Sequence, residues 1–182
     1  MKRILFISII VLAVSFSCSK DKTVPTSGTA TIENTLYGQG PYYANGFSFS
    51  TAGPVSSLND PPPDIVLYTN ADDPANPKLT LQTENFKPSF HKLGDYPDAA
   101  AAVAAFNNLT AVGTYQWTDM ADPVVDNQVW VYRSGSEKYS KIRIISTINE
   151  NRPEVPSLGG QYGECTFEWV HQPDGSTTFP VK

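Results

Sequence analysis

The side chains best suited to nucleophilic chemistry lie near the C-terminus. Cys165 belongs to the segment ECTFEWV (164–170), whose period-2 alternation continues to His171 on the same face of a strand. A thiol nucleophile needs a histidine base within hydrogen-bonding distance, and His171 is its only neighbour of that type in the sequence. The alternation also places Cys165 with Phe167 and Trp169. We therefore expect a small buried hydrophobe at Cys165, and an exposed His171 beside the turn that follows.

The rest of the sequence carries no familiar catalytic motif. It has no GxxxxGK[ST] phosphate loop, no GxGxxG, no GxSxG, no HExxH and no CxxC. With 2 histidines in 182 residues, there are few candidates for a general base. We therefore expect a binding protein and not an enzyme.

The other cysteine, Cys18, ends a segment with the parts of an export signal. Lys2 and Arg3 form a basic start, and residues 4–16 are apolar apart from two serines. About 13 apolar residues are too few to cross a bilayer, which takes about 20. A small residue directly before Cys18 resembles the lipobox of bacterial lipoproteins. We predict a lipoprotein signal peptide at 1–17 and a lipid anchor on Cys18 that holds the protein permanently at a membrane.

A polar segment follows the predicted anchor. Residues 19–31 (SKDKTVPTSGTAT) contain Pro and Gly and show no apolar period, so 18–31 is predicted to be the lipidated cysteine and a flexible tether. Residues 32–182 then form a single domain, long enough to bury a core without metal or disulfide support. The net charge of −5 opposes contacts with phosphates, so we expect no binding to nucleic acid.

Short segments rich in β-branched and aromatic residues predict a mainly β fold of antiparallel sheets. The 15 prolines and 12 glycines agree with many turns. The predicted strands cover 42–51, 64–69, 78–83, 128–133, 139–146 and 162–170. Loops are expected over 119–127 and over 149–160.

One short alanine-rich helix is predicted over residues 97–109 (PDAAAAVAAFNNL). Pro97 and an acid at its start suit a helix N-terminus, and the alanines have high helix propensity. Val103, Phe106 and Leu109 recur every three residues. They are expected to face the sheet.

Four segments together resemble one family. They are NGFSFSTAGPV (45–55), DIVLY (64–68), VWVYRSGSEKYSKIRIIS (129–146) and GECTFEWVHQPDGSTTF (163–179), with the predicted helix between the second and the third. This combination resembles the HmuY-type lipoproteins of the Bacteroidetes over most of residues 30–180. It departs from the family pattern before DIVLY, where the family usually has Trp-Asp and this chain has Pro63-Asp64.

The resemblance implies a mainly β lipoprotein of the outer membrane, more often at the cell surface than on the periplasmic side. It implies that the protein captures haem and passes it to a TonB-dependent outer-membrane receptor. Members of the family hold the haem iron through two axial side chains, His or Met, carried on loops. Those ligands do not lie in the matching segments.

Haem iron accepts His, Met, Cys or Tyr ligands, so the candidates in this chain are few. Met120 lies in the predicted loop near Trp117, where its thioether would bind iron while Trp117 stacks on the porphyrin. His91 precedes the helix and is the candidate for the second ligand, with Lys92 close by for a propionate. His171 is a third candidate. For each of these, the alternative is an ordinary packing or surface role.

A different class of function stays open at this point. A surface lipoprotein with the same scaffold that binds protein, glycan or another small molecule would need no iron ligand. The scarcity of His and Met favours this alternative.

Overall fold

The computed structural model describes residues 23–70, 72–73, 75–83 and 86–180. The predicted signal peptide and Cys18 lie outside them. The strands and the helix are β1 (Ser27–Glu33), β2 (Asn45–Ser48), β3 (Gly53–Ser56), β4 (Val66–Asn70), β5 (Lys78–Gln82), β6 (Phe90–Asp95), α1 (Ala99–Asn108), β7 (Met120–Ala121), β8 (Gln128–Arg133), β9 (Tyr139–Glu150) and β10 (Tyr162–Gln172). In these residues, the predicted mainly β fold with a single short helix is confirmed. This part of the chain has no helix long and apolar enough to cross a membrane.

All strand pairs are antiparallel. The largest sheet has five strands in the order β1-β10-β9-β8-β6, so the first strand of the described chain pairs with the last. The strands β2 and β3 form a hairpin, and β4, β5 and β7 form a three-stranded sheet. Register shifts in the large sheet lie between Thr166 and Phe167 and between Lys92 and Gly94.

The main core lies between the five-stranded sheet and the two smaller ones. The large sheet contributes alternate residues of β8, β9 and β10, and the small sheets contribute apolar side chains of β2, β4 and β5. Phe47 contacts Phe167 and Trp169 with ring centroids 5.4 Å apart in both cases. A second apolar cluster, on the other face of the large sheet, packs Phe106 of α1 against Val129 and Val131 of β8.

The helix begins and ends within the predicted range. Asp98 is its N-cap, and its carboxylate accepts a hydrogen bond from the backbone N–H of Ala101 at 2.8 Å. Phe106 and Leu109 are buried as expected. The prediction for Val103 is wrong: it is 37% exposed, and Ala102 takes the buried position, because Ala102 and Phe106 are four residues apart on one helix face.

The predicted strands are present, but most of them begin or end at residues other than the predicted ones. The strand at 128–133 is confirmed residue for residue, whereas β9 and β10 continue beyond their predicted ends to Glu150 and Gln172. The segment 42–51 contains only the four residues of β2. The chain turns after Ser48, passes through Ala52 at φ 53°, and returns as β3.

The predicted tether is too long at its C-terminal end. Residues from Ser27 onward belong to β1 and not to a flexible segment. Gly28, Ala30 and Ile32 face the core side, where Gly28 lies against the indole of Trp169. The strand has little apolar character of its own, so it is fixed by pairing with β10.

Candidate ligand-binding site

The outward face of the three-stranded sheet is the floor of a groove. Val66, Gln82 and Met120 lie directly opposite one another across β4, β5 and β7. Their neighbours Leu67 and Leu81 point the other way, into the core. The row of three therefore faces outward, with Met120 at one end.

Loops from distant parts of the chain form the walls of this sheet-face groove, which has a volume of about 420 Å³. Beside the row of three, its lining comprises Pro41, Tyr42, Ser57, Tyr68, Asn70, Asp72, Thr83, Phe86 and Leu158. Tyr42 and Phe86 are 66% and 55% exposed, so two aromatic rings stand at its open side. No lysine, arginine or histidine of the described residues lines it.

The predicted iron ligands do not line one common groove. Met120 lines the sheet-face groove, and neither histidine does. Trp117 lies beside His91, with the ring centroids 6.4 Å apart, and the guanidinium of Arg133 lies 4.5 Å from the centroid of the Trp117 ring. Trp117 and His91 are thus neighbours, and neither lines the sheet-face groove that contains Met120.

His91 is held in one orientation and one tautomer. Its ring stacks on Tyr115 at 4.0 Å between centroids and 7° between planes. Its Nδ1 lies 3.0 Å from the carbonyl oxygen of Gln116, which only accepts hydrogen bonds, so Nδ1 carries the proton. The lone pair is then on Nε2, the arrangement of metal-binding histidines in proteins.

The sequence predicts that Lys92 lies beside His91, where it would bind a propionate. In the structure, the two side chains lie on opposite faces of β6. Adjacent residues of β6 point to opposite faces, so Lys92 forms a 3.0 Å ion pair with Asp95 and lies 5.7 Å from the centroid of Trp130. Its charge is directed away from the His91 ring.

The prediction that His171 is exposed is wrong. It is only 5% exposed, because the alternation of Cys165, Phe167 and Trp169 continues to it and β10 extends past it. Its ring stacks on Phe49 at 5.9 Å, and its Nδ1 lies 2.9 Å from Ser140 Oγ. The Nε2 atom is buried without a hydrogen-bond partner among the described residues.

Burial of His171 makes stability depend on pH. Desolvation lowers the pKa of His171, against the opposing effect of the Asp64 carboxylate, while Lys138 acts in the same direction as burial. The folded state therefore prefers the neutral ring, and the unfolded state binds more protons below its pKa of about 6.5. The free energy of unfolding should decrease as the pH falls from about 6.5 through the lower folded pKa.

Urea titrations at about pH 7.5 and at lower pH values test this effect. His171→Leu removes the titrating group and should lose part of the pH dependence that the unmodified chain shows. His91→Leu is the matched control and should keep that part. Equal pH dependence of the unmodified chain and of His171→Leu would contradict the prediction.

Cys165 is buried in the core as predicted, and it is a free thiol. Burial raises the pKa of the Cys165 thiol, and the negative charges of Asp126 and Glu164 add to this effect. The Nδ1 atom of His171 is bonded to Ser140 and not to the thiol. The two residues therefore do not form a nucleophile and base pair.

The sequence predicts Met120 as a candidate ligand but does not predict the groove around it. Val66, Tyr68 and Gln82 lie in predicted strands, and their outward positions follow from the alternation with Leu67 and Leu81. The loop residues of the walls carry no comparable signal. Their contact with the sheet depends on long-range folding.

The rest of the described chain offers no preformed metal cluster, since no group of three or more His, Cys, Asp or Glu side chains lies together there. Neither a family model nor a curated protein matches the chain. The resemblance to the HmuY-type lipoproteins therefore stays a prediction.

Proposed function

We propose that this protein is a haem-binding lipoprotein that holds haem in the sheet-face groove, with Met120 as an axial ligand of the iron. The observation that carries the proposal is the position of Met120 at one end of the outward-facing row of Val66, Gln82 and Met120, in a groove with aromatic residues in its walls. A thioether is one of the few protein ligands of haem iron, and apolar and aromatic surfaces suit the faces of a porphyrin.

The side chains around Met120 fit a flat apolar ligand. Val66 and Leu158 supply aliphatic surface, and Tyr42 and Phe86 supply rings at the opening. Tyr68 lies two residues from Val66, on the same face of β4. Its phenol oxygen is another type of ligand for haem iron.

The charge of the groove constrains how haem would lie in it. Asp72 is in the lining, and no described cation is. The two propionates would therefore point out to water, or towards Lys78, which lies opposite Asn70 in the register of β4 and β5. We place the apolar edge of the porphyrin against the floor for this reason.

The sequence predicts His91 as the candidate for the second ligand, but this side chain does not line the sheet-face groove. Under this proposal, His91 does not bind the iron held by Met120 and packs beside Tyr115 and Trp117. The ligand substitutions below separate Met120 from His91.

The remaining parts of the proposal follow from the N-terminal motif and from the family resemblance. Lipidation of Cys18 would anchor the domain at the outer membrane, at the cell surface, and haem taken into the groove would pass to a TonB-dependent receptor. The open side of the groove, between Tyr42 and Phe86, is where a ligand would leave.

Titration of the purified chain with haemin, followed by absorbance, tests the proposal. We expect a saturable Soret shift, and Met120→Ala should weaken binding by about tenfold and change the axial-ligand bands, because a bond to iron is lost. His91→Ala is the matched control and should leave the spectrum unchanged. An unchanged spectrum for Met120→Ala would show that Met120 is not a ligand, and loss of the bands in His91→Ala alone would move the site to His91.

A second function is favoured by the polar groups of the same groove. Asn70, Asp72 and Gln82 supply hydrogen-bonding groups for hydroxyls, and the exposed rings of Tyr42 and Phe86 suit stacking on the faces of sugars. A lining without a cation among the described residues fits a neutral glycan better than an anionic porphyrin. A haemin titration without a saturable site below micromolar concentration would favour this alternative, which calorimetry with neutral oligosaccharides would then examine.

A further inference from the structure

The first strand, β1, is an edge of the large sheet with an open hydrogen-bonding side. The carbonyl of Thr26 accepts from the N–H of His171, and the N–H of Asn34 donates to the carbonyl of Gly163. These pairs, together with the continuous register between β1 and β10, place the even-numbered residues of the strand in the hydrogen-bonded positions. The backbone groups of Ser27, Thr29, Thr31 and Glu33 therefore point away from β10.

No described residue pairs with that open side. The strand lies at the end of the sheet order, and residues 27–32 include no charge and no proline. Edge strands in soluble proteins are usually protected by charges, prolines or bulges, because a long unprotected edge pairs with other chains. The first six residues of this strand have no charge and no proline, so they are suited to accept another strand.

An apolar groove runs beside this edge, between β1 and the β2–β3 hairpin. This edge groove has a volume of about 410 Å³ and is lined by Gly28, Ala30, Ile32, Pro54 and Trp169, among others. The absence of a side chain at Gly28 leaves the indole of Trp169 accessible below it, with Nε1 3.5 Å from the position that a Cβ atom would take.

The indole of Trp169 offers a hydrogen-bond donor to the edge groove. The residue is only 2% exposed and lines the groove, but its Nε1 is not sealed from solvent, because His171 Nε2 is the one fully buried side-chain nitrogen or oxygen without a partner among the described residues. An indole N–H is a donor only. A carbonyl or a polar side chain of a bound segment can therefore accept from it.

The charge at the end of β1 indicates the chemistry of the occupant. Glu33 lies opposite Glu164, and the hydroxyl of Tyr162 is within 3.2 Å of both carboxylates but has one hydrogen to donate. The nearby Arg152 pairs with Glu150 and lies 3.9 Å from the centroid of the Tyr162 ring, and it forms no ion pair with Glu33 or Glu164 among the described residues. A basic residue of a partner would complete this pair of acids.

We propose that β1 binds an extended segment of a partner protein by strand addition, with apolar side chains of that segment in the edge groove and a basic residue beside Glu33. A second copy of this chain is a poorer occupant. Pairing of β1 with its own copy would offer only Gly28, Ala30 and Ile32 to the groove, two small residues and one already buried in its own core. A volume of about 410 Å³ requires larger side chains.

Selection from a displayed library of random peptides of about nine residues tests the proposal on the purified chain. We expect enriched peptides with apolar residues at alternate positions and a lysine or arginine at one end. An enriched peptide, synthesised with a fluorescent label, should bind with a saturable change in anisotropy. Failure to enrich any peptide of this pattern would overturn the proposal.

Substitutions at one position separate backbone pairing from other modes of binding. Thr29→Pro removes an N–H on the open side and leaves the bonds to β10, and it should weaken the peptide by about tenfold or more. Thr29→Ala keeps the N–H and should bind as the unmodified chain does. Gly28→Val, which places a side chain over Trp169, should also weaken binding and serves if Thr29→Pro does not fold. Equal binding by the folded variants would overturn the proposal.

The peptide provides a test that leaves the protein unchanged. Methylation of the peptide amides that face β1 should weaken binding as much as Thr29→Pro does, whereas methylation of the alternate amides should not. Equal effects at both sets of amides would overturn strand addition. If sedimentation shows the unmodified chain as a dimer and Thr29→Pro as a monomer, the occupant is a second copy and the proposal of a partner segment is wrong.

Discussion

Replacing Lys141 by methionine should lower the free energy of unfolding by about 2 to 4 kcal/mol. Lys141 is buried, and its Nζ donates to the carbonyl oxygens of Phe106 and Leu109 at 2.8 and 2.9 Å. These carbonyls lie in the last turn of α1, where helices lack internal donors and where the helix dipole favours a positive charge. The ammonium also lies 4.7 Å from the centroid of the Phe106 ring.

Methionine keeps most of the volume of Lys141 and removes only the hydrogen-bond donor. The decrease in the free energy of unfolding therefore reports the loss of the bonds to the helix carbonyls and not the creation of a cavity. Urea unfolding gives the free energy, and hydrogen exchange should show faster opening of α1 than of β8. Lys92→Met is the matched control: its ion pair with Asp95 is at the surface, and we expect a change below about 1 kcal/mol. Equal losses in the two variants would show that the helix does not depend on Lys141.

Replacing Asn34 by leucine should cost about 3 to 5 kcal/mol, because it leaves several buried polar groups without partners. Asn34 is fully buried. Its Nδ2 lies within 3.0 Å of Thr69 Oγ1 and of the carbonyl oxygens of Leu158 and Gln161, and its Oδ1 accepts from the N–H of Gly163 at 2.8 Å. One amide thus joins β4, β10 and the end of the loop between β9 and β10.

The same substitution should affect ligand binding, since Leu158 is a wall of the sheet-face groove. Haemin or glycan affinity is expected to fall even where the variant is fully folded. Asn149→Ala is the matched control, because its amide makes one exposed bond, 2.7 Å to the carbonyl of Pro77, and its loss should stay within about 0.5 kcal/mol. A stable Asn34→Leu variant with unchanged affinity would show that the loop is held by other contacts.

The elements that the sequence predicts well are those whose local pattern agrees with their environment. In β8, β-branched and aromatic residues follow one another without interruption, and the strand is found at its predicted residues. In α1, the alanines and the Asp98 cap specify a helix before any packing is known. Here local propensity and tertiary structure act in the same direction.

The missed elements depend on partners distant in the sequence. The residues of β1 before Ile32 are small or polar, and only pairing with β10 makes them a strand. Met120 lies in a strand of two residues that exists because β5 is beside it. The position of Met120 near Gln82 and Leu158, which defines the site, is therefore absent from any local pattern in the sequence.

The alternation in the sequence is sufficient to predict that His171 is buried. The period that places Cys165, Phe167 and Trp169 in the core also places His171 there, whereas the turn residues that begin two positions later favour exposure. The orphaned Nε2 atom, in contrast, follows from the packing of Phe49 and Ser140 against the ring and required the structure.

The pairing of β1 with β10 has a consequence for the order of folding. Thr31 and Thr166 share a hydrogen bond at 2.8 Å although 135 positions separate them in the chain. Contacts between residues so far apart in the sequence form late in folding, because the entropy cost of closing the loop between them must be overcome before they stabilise the fold. The large sheet cannot be completed on a partly synthesised chain, and the first strand stays unpaired until the last one emerges.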